Sequence, residues 1–258
     1  EKQKLGKTIT DISREEQVLG HVRALARKEK INEKDVETLY RQIIQLSKGV
    51  QGITIAFQGE LGAYSEEATV QLFSASAKVQ PFETLDAVFK AVETGEVKYG
   101  VVPVENSLEG SISRSFDLML NSSLKVCGET ELRVVHCLIA NQKATLDTVK
   151  KIYSHPQALG QAGAFLKHLN AELIPSYDTA GSVKMIKEMG ILDGAAVAGV
   201  RAAEIYGMKI LARGIEDNQN NFTRFFVLAR EDAPATGKDK TSIVFSVKHK
   251  PGALFSAL

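Results

Sequence analysis

The chain has 258 residues, 44% hydrophobic and 24% charged, with 32 basic against 31 acidic side chains and a net charge of +1. That is an ordinary globular composition, long enough for one large domain or two lobes. The charge balance argues against a nucleic-acid binder, and no apolar run approaches the roughly 20 residues of a membrane helix.

The opening segment is charged and lacks the apolar core of a signal peptide, so a cytoplasmic protein is expected. Cys127 and Cys137 sit in or beside strand-like runs and read as reduced core residues. Five scattered histidines without a Cys-x-x-Cys argue against a metal site. The start without Met and the end in "HKPGALFSAL", a helix just beginning, read as those of a fragment of a longer polypeptide.

In chain order, residues 13 to about 28 form an amphipathic helix, capped by Ser13 with Glu16 as its capping-box partner. A second starts near Asn32 with the stripe Val36, Leu39, Tyr40, Ile43 and Ile44. Two helices alone bury little and call for a partner. "ITIAF" is a buried strand, "GELGAYS" a glycine loop, and Ser65 to Phe73 a helix, the first unit of an α/β fold. The theme repeats. "AKVQPF" is a strand, "TLDAVFKAVETGE" a helix capped by Thr84, "YGVVPVEN" a strand and "SFDLMLNS" a helix. "LKVCGETELRVVHCLIA" is one long extended crossover. "TLDTVKKIYSHPQALGQAGAFLKHL" mixes a helix, a short strand, a loop and a second helix. "AELIPSY", "GAAVAG", "MKILARGI" and "NFTRFFVLAR" are extended, and "AGSVKMIKEM" and "VRAAEIYG" are helical. "EDAPATGKDK" is a polar linker, followed by a fresh strand, "TSIVFSVKH". Strands alternating with helices predict two α/β lobes with largely parallel sheets, facing a cleft, with the ligand at the carboxyl ends of the strands.

Four loops at strand ends carry polar side chains. "GELGAYS" presents Ser65 and backbone N–H groups at a helix N-terminus, which favours anions, although taken alone an ordinary βα turn using glycine for positive φ is the plainer reading. "VVPVENS" places Glu105 and Asn106 after a strand, where an Asn cap is the plainer reading. "YSHPQALGQAG" puts Ser154, His155 and Gln157 in a loop before a helix that Pro156 starts, with Gln161 one turn on. In "NNFTRFFVL", alternation sets Thr223, Phe225 and Val227 on one face and Arg224 on the other. A strand-forming threonine and a snorkelling arginine account for that alone. There is no Gly-x-Ser-x-Gly, no P-loop and no full Gly-x-Gly-x-x-Gly. What converges suits a small anion and chemistry that needs orientation and a proton donor.

These residues resemble a known family. "GELGAYS", "VVPVENS", "YSHPQALGQ" and "NFTRF", in that order over about 180 residues, are similar to the signature segments of prephenate dehydratases. The resemblance implies two α/β lobes like those of a type II periplasmic binding protein, preceded by two helices, with the active site between the lobes and no cofactor or metal. It implies catalytic roles for Thr223, Ser154, Asn106 and Gln161, and substrate contacts at Gly62, Tyr64, Ser65, Glu105, His155 and Arg224. Alternation sets Arg224 opposite Thr223, so it either turns to bind a carboxylate or pairs with an acidic residue and stiffens the strand. Asn106, Ser154 and Gln161 are expected to bind carboxylate or carbonyl oxygens, and Thr223 to donate to the departing hydroxyl.

Residues 1–50 resemble part of a helical chorismate mutase, which would give Lys4, Asp11, Arg14 and Glu15 roles, but its long first helix is absent and mutase activity is not expected. "SVKHKPGALFSAL" resembles the start of an ACT regulatory domain, with Gly252, Ala253 and Leu254 in its phenylalanine-binding part. The expected division is 1–50 mutase-like, 52–230 dehydratase, 231–240 linker and 241–258 ACT start. Lobe 1 would be about 52–130 plus 212–230, and lobe 2 about 131–211. The implied partners are prephenate as substrate, L-phenylalanine as allosteric effector of the full-length protein, and a second copy in a homodimer or larger assembly. A non-catalytic two-lobed sensor of a small carboxylate and an arogenate dehydratase are the alternatives.

Overall fold

The computed structural model describes residues 12–50, 53–73 and 77–257, apart from 236, 238, 244 and 246. Two helices come first, α1 (Ile12–Lys28) and α2 (Glu33–Val50), packed on each other. Ser13 therefore lies inside the first turn of α1 rather than ahead of it, while Asn32 caps α2 by accepting from the Lys34 amide at 3.0 Å. Leu19, Val22 and Ala26 are buried in the seam, and Arg23 bridges the helices to Glu37 at 2.7 Å. Leu25, Leu39 and Ile43 stay exposed, so the pair buries only one stripe. Lys4 and Asp11, and the side chains of Arg14 and Glu15, lie outside the described residues.

The first lobe runs β1 (Thr54–Gln58), α3 (Tyr64–Phe73), β2 (Lys78–Phe82), α4 (Leu85–Thr94), β3 (Tyr99–Asn106), β4 (Gly110–Ser111), α5 (Ser113–Asn121) and β5 (Lys125–Arg133). The second runs β6 (Cys137–Ala140), β7 (Lys151–Ser154), α6 (Pro156–Gln161), α7 (Gly163–Leu166), β8 (Glu172–Pro175), α8 (Thr179–Glu188), β9 (Gly194–Ala198), α9 (Val200–Tyr206) and β10 (Lys209–Arg213). The chain then returns to the first sheet as β11 (Phe222–Ala229). The sheet orders are β2-β1-β3-β11-β5, with β4 beside β3, and β10-β6-β9-β7-β8.

The long extended segment is thus two strands in two sheets, broken at Val134–His136. Nor are the sheets wholly parallel. β11 runs antiparallel to both neighbours, and so does β6. The reason is the double crossing. The chain leaves lobe 1 along β5 and returns along the adjacent β11, so these two must oppose each other; β6 and β10 repeat this in lobe 2. The same geometry orients everything else. β1 and β3 share the direction of β5, and β7, β8 and β9 that of β10. The carboxyl ends of both parallel sets therefore point at the junction between the lobes, where α/β sheets take their ligands.

Each sheet is covered on both faces, giving two apolar clusters per lobe. β11 divides as alternation requires. Phe225 and Val227 pack with Ala68 of α3, while Phe226 and Leu228 pack with Val88 and Phe89 of α4. Opposite β11, the register on β3 slips at Val104, between Glu105 and Pro103. Proline has no N–H for the ladder, which fits a bulge there. Both cysteines are free, Cys137 buried and Cys127 partly so, and burial pushes both thiols up. The strand expected from Thr241 is not formed among the described residues; a lone strand has no neighbour to satisfy its backbone groups. The last helix, α10 (Ala253–Ala257), follows Gly252, whose φ is +75°. Among the described residues no helix is long and apolar enough to cross a membrane.

A partly buried ion pair joins the lobes. Glu66 of α3, 2% exposed, accepts from Arg201 of α9 and from the Gly62 amide, both at 2.6 Å. At Gly62 φ is +90°, and a Cβ would stand 2.7 Å from the Ala202 backbone. Here glycine serves lobe contact, not the ligand. Glu66→Ala leaves the Arg201 guanidinium half-buried without its carboxylate, and such losses cost about 3–5 kcal/mol. The variant should unfold at clearly lower urea, measured by circular dichroism; an unchanged midpoint would remove the pair from the account of lobe docking.

Candidate active site

Three strand ends and three helix starts meet at the junction. β3 delivers Asn106, β11 delivers Thr223, and β7 ends at Ser154 just before His155 and α6. They enclose adjoining cavities of about 240 and 350 Å³, which share Tyr64, Ser65, Asn106, Gln157 and Thr223 in their walls. Among the described residues no lysine or arginine lines either, and Glu109 and Asp178 are the acidic wall residues. The N-termini of α3 and α8 face the first cavity through Ser65 and Thr179, supplying partial positive charge.

One hydrogen-bond relay orders this wall. Asn106 Oδ1 accepts from the Leu108 and Glu109 amides at 3.0 and 3.1 Å, which fixes the side-chain flip. Its Nδ2 therefore donates, to Asn221 Oδ1 at 2.8 Å, Phe222 O at 3.1 Å and Thr223 Oγ1 at 3.0 Å. Asn221 Nδ2 in turn donates to Gln161 Oε1 at 2.9 Å. That oxygen also meets His136 Nε2 at 2.9 Å, and since it only accepts, Nε2 carries the proton. Burial pushes the His136 pKa down, with Gln161 and Glu216 opposing, so the ring is neutral and Nδ1 can accept from the Tyr64 hydroxyl at 2.9 Å. Burial pushes the Tyr64 pKa well up, so the phenol keeps its proton. Thr223 sits at the open end. Its oxygen accepts from Asn106, and its own proton has no acceptor among the described residues.

Of the residues singled out from sequence, Thr223, Asn106, Gln157, Gln161, Tyr64, Ser65 and His155 come together here. Ser154, Gly62, Glu105, Arg224 and residues 252–254 do not. Ser154 is fully buried behind the wall, donating to Val197 O at 2.6 Å. Gly62 faces Ala202. Arg224 lies on the far face of β11, its Nε donating to Glu129 at 2.9 Å with Glu105 at 3.9 Å, so both Arg224 and Glu105 point away from the cavity. Of its two expected orientations, Arg224 takes the one that stiffens the strand. Gly252 and Leu254 are exposed and Ala253 partly so, none of them lining these cavities. Sequence reading missed His136, Asn221 and Asp178. Signals existed: a histidine inside the apolar run "RVVHCLIA", the second Asn before "FTRF", and an Asp-Thr pair opening a helix.

Two α/β lobes, crossed twice by the chain, bring polar strand ends to a shared cleft of the size of a small ligand. Residues 55–233 match the profile of the prephenate dehydratase family, and the chain belongs to that family. Residues 1–52 match chorismate mutase type II. The chain is 43% identical over 219 residues to arogenate dehydratase/prephenate dehydratase 2 of Arabidopsis thaliana, covering 83% of this chain and 57% of that one. It is 37% identical over 248 residues to the bifunctional chorismate mutase/prephenate dehydratase of Stutzerimonas stutzeri, covering 95% and 67%. The chain thus spans about half to two thirds of the length of these relatives. The crystal structure of prephenate dehydratase from Arthrobacter aurescens, in complex with L-Phe, superposes with a TM-score of 0.69 at 28% identity, over 79% of this chain and 70% of that one.

Proposed function

We propose that the chain catalyses the decarboxylating dehydration of prephenate to phenylpyruvate. The substrate is a cyclohexadiene with a carboxylate and a pyruvyl arm on one ring carbon and a hydroxyl on the carbon opposite. The C–CO2 bond breaks, its electron pair enters the ring, and hydroxide leaves as the ring becomes aromatic. No redox or metal chemistry is required. The protein must hold a dianion, orient the ring and supply a proton to the departing oxygen.

The observation that carries this reading is the Thr223 hydroxyl, held by the Asn106 amide and with no acceptor for its own proton among the described residues. Donation by Asn106 also stabilises negative charge on Thr223 Oγ1 as its proton moves away, which lifts a weakly acidic alcohol toward the work asked of it. Helix N-termini and neutral donors such as Ser65 and Gln157 would hold the carboxylates in a cavity lined by no lysine or arginine. Incubation of the protein with prephenate should yield phenylpyruvate, followed by its absorbance in base, well above the rate without protein. Tight binding without product would instead favour a two-lobed sensor. The segment from Gly252 to Leu254 is proposed as part of a phenylalanine-sensing ACT module. The exposed stripe of α1 and α2 supports assembly with a second copy.

A further inference from the structure

A third cavity, of about 250 Å³, lies beside the crossover between the lobes. Tyr64 and Glu67 of α3, Arg201 and Glu204 of α9, and Arg133 and Arg213, where β5 and β10 end, stand in its wall. It draws on both lobes and shares only Tyr64 with the two cavities of the candidate active site. Its chemistry differs from theirs, because three arginines and two glutamates line it. Two of the arginines are partly engaged. Arg201 donates to Glu66 at 2.6 Å, but its Nε is buried without a partner. Arg133 donates through Nε to Gln219 O at 3.0 Å and lies 3.4 Å from Glu216. The other three charged groups are unclaimed. Among the described residues the side chains of Arg213, Glu67 and Glu204 make no hydrogen bond and no ion pair. Opposite charges in one wall thus stand beyond ion-pair distance of each other, with the cavity as their common space.

With Glu66 and Glu216 counted, the guanidinium groups of Arg133, Arg201 and Arg213 face the carboxylates of Glu66, Glu67, Glu204 and Glu216, so the wall lacks one positive charge. Burial pushes the Glu67 carboxyl up, Glu204 and Glu66 add to this, and Arg201 and Arg213 oppose it. A partly buried carboxylate in that position gains from an incoming cation. Arg213 calls for the opposite, since a free guanidinium binds a carboxylate through two parallel hydrogen bonds. We propose that this cavity binds a free amino acid with a cationic side chain, its carboxylate on Arg213 and its two cationic groups on Glu67 and Glu204. Other small ions match the wall less well. A neutral zwitterion leaves one glutamate without a cation, a diamine leaves Arg213 without an anion, and phosphate brings negative charge toward both glutamates. The inference is independent of the reaction proposed for the other cavities.

The test is isothermal titration calorimetry of the whole chain with L-lysine and L-arginine. At least one of them should bind saturably, with a Kd of roughly 1 mM or tighter. Glycine, cadaverine and inorganic phosphate, which each lack one part of the charge pattern, should bind at least about tenfold more weakly. Glu67→Gln and Arg213→Gln remove one charge each and leave the Arg201 pair with Glu66 in place. Each should weaken binding of the amino acid about tenfold or more, with circular dichroism confirming that the variant is folded. Absence of saturable binding by both amino acids overturns the proposal. So does wild-type affinity in either folded variant, and so does glycine binding as tightly as lysine.

Discussion

Thr223→Val is expected to lower kcat for prephenate by a hundredfold or more and to change KM little. Valine keeps the shape of threonine and its preference for strands, so the β11 pairing with Asn106 and Leu132 persists. The substitution does not orphan the Asn106 amide, because Nδ2 retains Asn221 Oδ1 at 2.8 Å and Phe222 O at 3.1 Å. Stability should therefore change little, and the loss reads as chemistry. A positioned proton donor contributes about 10²–10⁴-fold, or roughly 3–5 kcal/mol of barrier. An interaction made as the C–O bond breaks lowers kcat without weakening ground-state binding. Single-turnover measurement of product formation separates this from slow release. Wild-type kcat, or a loss confined to KM, would remove Thr223 from the role of donor.

That Thr223 was legible from sequence as facing away from Arg224 follows from period-2 alternation. It separates Thr223 from Arg224 whatever the register, and the clusters on either side of β11 obey it. Helices with clear caps were legible for the same local reasons: Thr84 caps α4 by accepting from the Ala87 amide at 3.2 Å. The lobe crossing was not. Nothing between Arg133 and Cys137 breaks a strand by local preference, since "VVH" has neither glycine nor proline. The break is tertiary, forced where the chain changes sheets, and it is what brings His136 to the relay. Ser154 shows the limit of motif reading. One residue separates the end of β7 from the helical proline, and that short step turns its hydroxyl into the strand layer toward Val197. The pairing of Asn106 with Thr223 spans 117 positions and has no local signature, so an amide expected to meet substrate is found hydrogen-bonded to the Thr223 hydroxyl.

Asn106→Asp tests that changed role. The new carboxylate keeps one oxygen on the Leu108 and Glu109 amides, so the turn after β3 is preserved. Its other oxygen replaces a donor and faces Asn221 Oδ1, Phe222 O and Thr223 Oγ1, all acceptors at 2.8 to 3.1 Å. The Thr223 hydroxyl is the one neighbour able to relieve this, by turning its proton onto the carboxylate and away from the cavity. kcat should then fall at least a hundredfold at neutral pH, as in Thr223→Val. Crowding by acceptors disfavours the charged form, so the introduced Asp titrates above the ordinary carboxylate value. Below that raised pKa it becomes a donor again, and the ratio of variant to wild-type kcat should climb as pH falls. Because both residues act through one hydrogen bond, the double variant should be about as slow as the slower single one. A variant with unchanged kcat, raised KM and a flat pH ratio would return Asn106 to direct substrate binding. Multiplicative losses in the double variant would separate the amide from the hydroxyl it is argued to hold.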